Sequence, residues 1–249
     1  MDRDVVSDRA HLEAGSVAPR LDPQEFADLA LTLRAAHTVE QTADQVVEHA
    51  LTALGADHGG IVLLLGGRRP QTVAPSSDLV VALDRAQFEL QDGPSYDDGW
   101  RDRTVASQSL EQDPRWPAWA CVAGRHGIAA LLAAQLTGSD NGHLGALNLY
   151  WDTEVTFTTD DLAYVSIFAT HAAVALAASV QQVQLNTALD TRKVIGQAQG
   201  ILMERHRLST EQAFEVLRRY SQDHNLKLRD VARELVDTRR LPGRGDGRR

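Results

Sequence analysis

Apolar residues recur at helical spacing from Gln24 to Leu54. Phe26, Leu29, Ala30 and Leu33 form one stripe, and Val39, Ala43, Val46, Val47, Ala50 and Leu54 form another. The interruption at Ala36-His37-Thr38 divides them into two helices, and Gly55 is placed to cap the second. The period then changes. Ile61 to Leu65 is a short unbroken apolar run between Gly59-Gly60 and Gly66-Gly67, which predicts an interior strand, with Gln71 to Ala74 as its hairpin partner. Leu79 to Leu90 returns to helical spacing. Gln91 to Trp119 carries Gly93-Pro94, Gly99, Pro114 and Pro117 and reads as loop, with a short strand at Thr104 to Ser107. Ile128 to Leu136 and Leu144 to Trp151 read as two strands joined by Asp140-Asn141-Gly142-His143, because Asn-Gly accepts positive φ at low cost. A long helix opens after Thr158-Thr159-Asp160-Asp161, residues suited to helix caps.

Beyond Val180 no strand pattern remains. Val194, Ile195, Ala198, Ile201 and Leu202 lie on one helical face. Ser209-Thr210-Glu211-Gln212 is a capping-box pattern opening a second helix with Ala213, Phe214, Val216, Leu217 and Tyr220. Leu228, Val231, Ala232, Leu235 and Val236 mark a third. The fold class is therefore α+β, an antiparallel sheet with flanking helices followed by an all-α three-helix domain. The expected division is a flexible arm over 1–23, a sheet domain over 24–180, a connecting helix and helical domain over 181–241, and a flexible tail over 242–249. Val165 to about Leu202 is expected to run nearly continuously. Its alanines, with Leu176, Val180, Val183, Leu185 and Leu189, suit a parallel helix pair between two copies.

Charge sharpens this division. The net charge of −9 is the sum of −14 over residues 1–185 and +5 over residues 186–249. An acidic body with a basic end is compatible with a polyanionic partner for the helical domain. Cys121 is the single cysteine, so no intrachain disulfide or thiolate metal cluster is available, which fits a reducing cytoplasm. The polar start Met1-Asp2-Arg3-Asp4 does not read as a secretory signal. The apolar run from Val165 to Val180 reads as a buried or dimer-forming helix, short of a membrane span.

The helical end resembles the ANTAR family of transcription antitermination regulators. The resemblance rests on Arg192, Val194-Ile195, Ala198, Gly200-Ile201-Leu202-Met203, Ala213-Phe214, Leu217-Arg218, Ser221, Asn225, Lys227-Leu228 and Val231-Ala232. It implies a dimeric module that binds paired stem-loops in nascent RNA and so prevents a terminator from forming. Loop recognition combines cations on phosphates with polar and stacking contacts to splayed bases. The candidate RNA-binding residues are Arg192, Lys193, Gln197, Ala198, Gly200, Arg205, Arg218, Lys227 and Arg229. A mid-helix Gly200 costs roughly 1 kcal/mol relative to alanine, which points to close approach of a backbone or a ligand. Gln199 stands where the family often has lysine, so a phosphate contact is either lost or replaced by an amide–base hydrogen bond.

Residues 24–180 are similar to GAF domains. The carrying residues are Ile61 to Leu65, Gly93-Pro94, Asp113-Pro114-Arg115-Trp116-Pro117, Gly127-Ile128, Gly145-Ala146-Leu147-Asn148-Leu149, Phe157, Asp160 and Phe168 to Ala173. The resemblance implies an antiparallel sheet with a pocket on one face and terminal helices that often dimerise. Ser95 stands where related domains have a cysteine after Gly-Pro. Trp116, Trp119, Cys121 and His126 are the candidate lining of a small-molecule pocket. No catalytic set, metal site or cofactor loop is expected: no phosphate-binding glycine loop or His-Glu-x-x-His occurs. The expectation is thus a cytoplasmic, homodimeric, non-enzymatic RNA-binding regulator. The alternatives are a DNA-binding transcription factor and a GAF-fold enzyme.

Overall fold

The computed structural model describes residues 38–64, 70–95, 104–138 and 142–241, together with positions 17, 24, 29, 31–33 and 36. The expected flexible arm, the tail, Gly99 and the Asp140-Asn141 half of the expected Asn-Gly turn lie wholly or largely outside these residues. The described chain divides into two compact units, one ending at Val180 and the other starting at Gln181.

In the first unit, residues 24, 29 and 31–33 are helical and are followed by α1 (Val39–Leu54). Thr38 caps α1 by accepting from the Gln41 amide, and Gly55 ends it at φ 63°. Next come β1 (His58–Leu63), β2 (Gln71–Val73), α2 (Asp78–Leu90), β3 (Thr104–Ser107) and a single 3-10 turn (Leu110–Gln112). The unit continues with α3 (Pro117–Arg125), β4 (Ala130–Thr137), β5 (His143–Trp151) and the first half of α4 (Thr159–His206). The five strands pair antiparallel in the order β2-β1-β5-β4-β3.

Helices cover both faces of this sheet, which explains why its strands read as unbroken apolar runs. On one face Ile61, Leu63, Leu132, Leu136, Leu147, Leu149 and Trp151 pack with α1 and with Val165, Phe168, Ala172 and Leu176 of α4. On the other, Leu131, Ala133 and Tyr150 pack with Val80 and Leu83 of α2 and Trp119 and Ala123 of α3. Gly145 in β5 has no substitute: at φ 154° an added Cβ would overlap the Val62 carbonyl oxygen.

Two sequence expectations need correction. The loop reading of Gln91 to Trp119 misses the start of α3. Nine residues containing Pro117 and Gly124 show no helical period, yet Pro117 sits in the first turn, where its missing N–H has no consequence. The Asp92 carboxylate, from the end of α2, accepts from the amides of Ala118 (2.9 Å) and Trp119 (3.0 Å) and so caps α3 across the chain. The other concerns only the length of the apolar stretch read as short of a membrane span: α4 holds an 18-residue window long and apolar enough, by length and composition, to cross one. Its Val165, Phe168, Ala169, Ala172, Ala173 and Leu176 are instead core residues of the first unit.

The second unit consists of the remainder of α4, α5 (Thr210–Asp223) and α6 (Leu228–Thr238). Its core is Ala198, Leu202, Ala213, Leu217, Val231, Ala232 and Leu235. The capping box at Ser209 and Gln212 is formed in both directions. Val216, assigned by periodicity to the buried face of α5, is 38% exposed.

Candidate functional site

The helical unit keeps its positive charge on the surface because its small core is filled by short apolar side chains. Arg192, Lys193, Gln197, Gly200, Arg205, Arg218 and Lys227 are exposed, and Arg229 is half-buried. Several of these groups already have partners. Arg218 pairs with Glu215 at 2.6 Å, Arg229 approaches Asp230 at 3.3 Å, and Arg205 donates to the Arg239 carbonyl at the end of α6 (2.9 Å). Arg192, Lys193 and Lys227 make no ion pair among the described residues. Arg219, also exposed and without an ion pair among them, joins this set although the sequence reading passed over it.

Ala198 is fully buried between the helices, so it presents no surface to an outside partner. Gly200 is the opposite case. A Cβ there, or at Gly196, would meet nothing within 4 Å. Neither glycine is explained by helix packing among the described residues, although each costs about 1 kcal/mol relative to alanine. Arg192, Gly196 and Gly200 follow one another at four-residue steps and so share one side of α4. The result is bare helix backbone beside a guanidinium and an ammonium, open to solvent. Gln199 donates its amide to the Thr210 carbonyl (3.0 Å), fixing the start of α5 against α4. Its side chain is therefore engaged within the fold.

In the sheet unit the four expected pocket residues do not come together. Trp116 and Trp119 are buried and meet edge to face at 6.5 Å, and Trp119 donates to the Leu83 carbonyl. They fill the space under α3. Cys121 is exposed and lines an open groove of about 850 Å³, together with Leu110, Pro117, Gly124, Arg125 and Glu154. His126, at the end of α3, is not among the residues lining it. At the groove's edge, burial alone would raise the Asp113 carboxyl, but hydrogen bonds from Arg115 and Ser107 outweigh it and hold it at about 2.

Sequence reasoning missed a buried polar cluster between α2 and the sheet. Asp84 is fully buried and accepts from the Thr72 hydroxyl (2.9 Å), the Asn148 amide (3.3 Å), the Gln87 amide (3.4 Å) and the Tyr150 hydroxyl (3.4 Å). Ser95 joins the cluster through Asn148 and Gln87. No cation neutralises Asp84 among the described residues, and burial raises its carboxyl to about 6 despite these donors. The only sequence signal was a lone aspartate at a core-facing step of an amphipathic helix.

An antiparallel sheet clasped by helices is followed in the chain by a helical unit with exposed cationic side chains, the architecture of a two-module protein. The chain belongs to the GAF domain family, matched over residues 36–177, and carries an ANTAR domain over residues 183–236. Among curated proteins none matches the chain. Solved structures agree on the fold. The chain is similar to the GAF domain of the Acinetobacter phosphoenolpyruvate-protein phosphotransferase, at 13% identity and TM-score 0.50, over 64% of this chain and 94% of that one. It is also similar to the Stigmatella aurantiaca phytochrome photosensory core module, at 12% identity and TM-score 0.53, over 82% of this chain and 46% of that one. The pairing of GAF and ANTAR domains assigns a regulatory role at the level of the families, joining sensing to RNA-binding antitermination.

Proposed function

We propose that the chain is a cytoplasmic, homodimeric antitermination regulator whose helical domain, within 181–241, binds paired stem-loops in nascent transcripts under control of the GAF domain. The observation that carries this reading is the open glycine side of α4. Gly196 and Gly200 leave backbone accessible beside Arg192 and Lys193, at an energetic cost that no contact among the described residues offsets. A folded RNA supplies what such a surface lacks: phosphates for the cations and a sugar–phosphate edge that can approach a helix without side chains. Arg218, Lys227 and Arg229 extend the cationic surface, with Gln197 as a polar contact. Val183, Leu185 and Leu189, each 44% exposed or more along α4, support a helix pair between two copies. In the sensor domain the groove beside Cys121 replaces the tryptophan-lined pocket as the site for a small-molecule ligand.

Binding of the full chain to a library of RNA hairpins, with duplex DNA of matched length as comparison, tests this function. Hairpins should be preferred. Replacing Arg192 and Lys193 by alanine should weaken binding and flatten its salt dependence by about 0.7 to 0.9 per lost phosphate contact. Equal binding of duplex DNA and hairpins at physiological ionic strength would overturn it.

A further inference from the structure

Tyr220 and His224 lie one turn apart at the end of α5, with ring centroids 4.0 Å apart and planes within 11°. Tyr220 packs against the core of the helical unit. His224 stacks on Tyr220, and both residues are only half-buried. The histidine ring is held in place, because its Nδ1 lies 3.0 Å from the Tyr220 carbonyl. A carbonyl can only accept, so Nδ1 is the donor in this contact. The pair is thus a preorganised aromatic step. Its inner ring is anchored in the core, and the outer ring has one face committed to Tyr220.

The turn that follows is unusual in composition. Asn225 is exposed at φ 51°, Leu226 is 41% exposed, and Lys227 is exposed without an ion pair among the described residues. Asp223 is the single acidic group in the segment from Tyr220 to Leu228. The Ser221 hydroxyl donates to the Leu226 carbonyl at 2.6 Å and ties the turn back onto α5. An aromatic face, an amide with donors and an acceptor, an apolar side chain and an ammonium group therefore stand within five residues on a fixed turn. Splayed nucleobases are held by this combination: stacking on a ring, hydrogen bonds to a base edge and a cation on the adjoining phosphate. A protein partner would leave the ammonium uncompensated unless it brought an acidic group, whereas a nucleotide carries both the π-face and the negative charge.

We infer that the Tyr220–His224 stack is the base-stacking platform of the RNA interface, on which an unpaired loop base of the stem-loop lies, with Asn225 and Lys227 contacting the same nucleotide. This rests on the RNA-binding reading above and assigns it a ring, a nucleotide and an edge.

The probe is a hairpin enriched by the full-length chain from a random-loop RNA library. It is compared with versions carrying one abasic loop position at a time. Wild-type binding should fall roughly five- to hundredfold at one abasic position, the range expected for loss of one base–aromatic stack. His224→Ala should show the same loss on the intact hairpin and no further loss on that abasic version. His224→Phe, which keeps the ring, should restore most of the affinity. Circular dichroism reports whether the helical unit remains folded in each variant. If no single abasic position weakens binding, or if His224→Ala and the abasic loop lose affinity independently, the platform is refuted while RNA binding stands. If the library yields no hairpin preferred over its own paired stem, the RNA-binding reading fails as well.

Discussion

Asp84→Asn should make the sheet unit more stable at neutral pH, although it removes a charged group from a cluster of four hydrogen-bond donors. The carboxyl is raised from 3.8 to about 6 by burial. The folded state therefore binds this proton more tightly than the unfolded chain does. For a raised carboxyl the sign is unfavourable: the charged form carries a penalty that is absent below pH 4, grows between pH 4 and 6 and is constant above. A shift of about two units corresponds to about 3 kcal/mol at pH 7.5, taken as an upper figure. Asparagine is isosteric. Its oxygen can accept from Gln87, Asn148 and Tyr150, and its amide can donate to the Thr72 hydroxyl, which then serves as acceptor. The second amide hydrogen and the Thr72 hydroxyl hydrogen are left without these acceptors, which offsets part of the relieved charge penalty. Trp116, Trp119 and Trp151 lie in the sheet unit and no tryptophan follows Trp151 in the chain, so the fluorescence does not report on the helical unit. Urea titrations of wild type and Asp84→Asn at pH 4.5, 6 and 7.5 would give the difference in stability, with the pH values chosen to bracket the shift. From the lowest pH to the highest the difference should move in the variant's favour by about 2 kcal/mol. A variant destabilised at pH 7.5, or a difference independent of pH, would refute the reasoning.

Two further perturbations separate stability from recognition in the helical unit. Gly200→Ala adds a methyl group that meets nothing within 4 Å, so the free protein should gain about 1 kcal/mol of helix stability, read by thermal circular dichroism. The same variant should bind hairpin RNA more weakly, and unchanged affinity would remove the glycine side of α4 from the interface. Leu217→Ala opens a cavity at the centre of a seven-residue core and should cost about 2 to 5 kcal/mol, enough to unfold this small unit. Helical circular dichroism should then fall while the tryptophan transition of the sheet unit stays in place; loss of both together would show that the units unfold as one.

Most of the architecture was legible because each element carries its own period or punctuation. The shift from helical stripes to the apolar run beginning at Ile61, the Thr38 cap and the Ser209–Gln212 box act over a few residues, so they act in the linear chain as they do in the fold. Helix α3 was not legible, because its cap comes from Asp92 in a distant segment and its apolar anchors are too few to show a period. The candidate site divides in the same way. Arg192, Lys193, Gly200 and Lys227 could be named from residue type and spacing. That Ala198 faces inward, that Gln199 holds Thr210 and that Arg218 is paired with Glu215 depend on which neighbours the packing supplies.

Taken alone, the order of residues determined the two modules, their charge asymmetry and the helices and strands of each apart from α3, since propensity, capping and hydrophobic period are local properties. Only the tertiary structure decided which side chains are plugs and which are surface. It buried Trp116 and Trp119, left the groove beside Cys121, gathered Thr72, Asp84, Gln87 and Asn148 around one uncompensated carboxyl and stacked His224 on Tyr220. Burial and hydrogen bonding between segments far apart in the chain arise when layers pack, and no window along the sequence contains both partners.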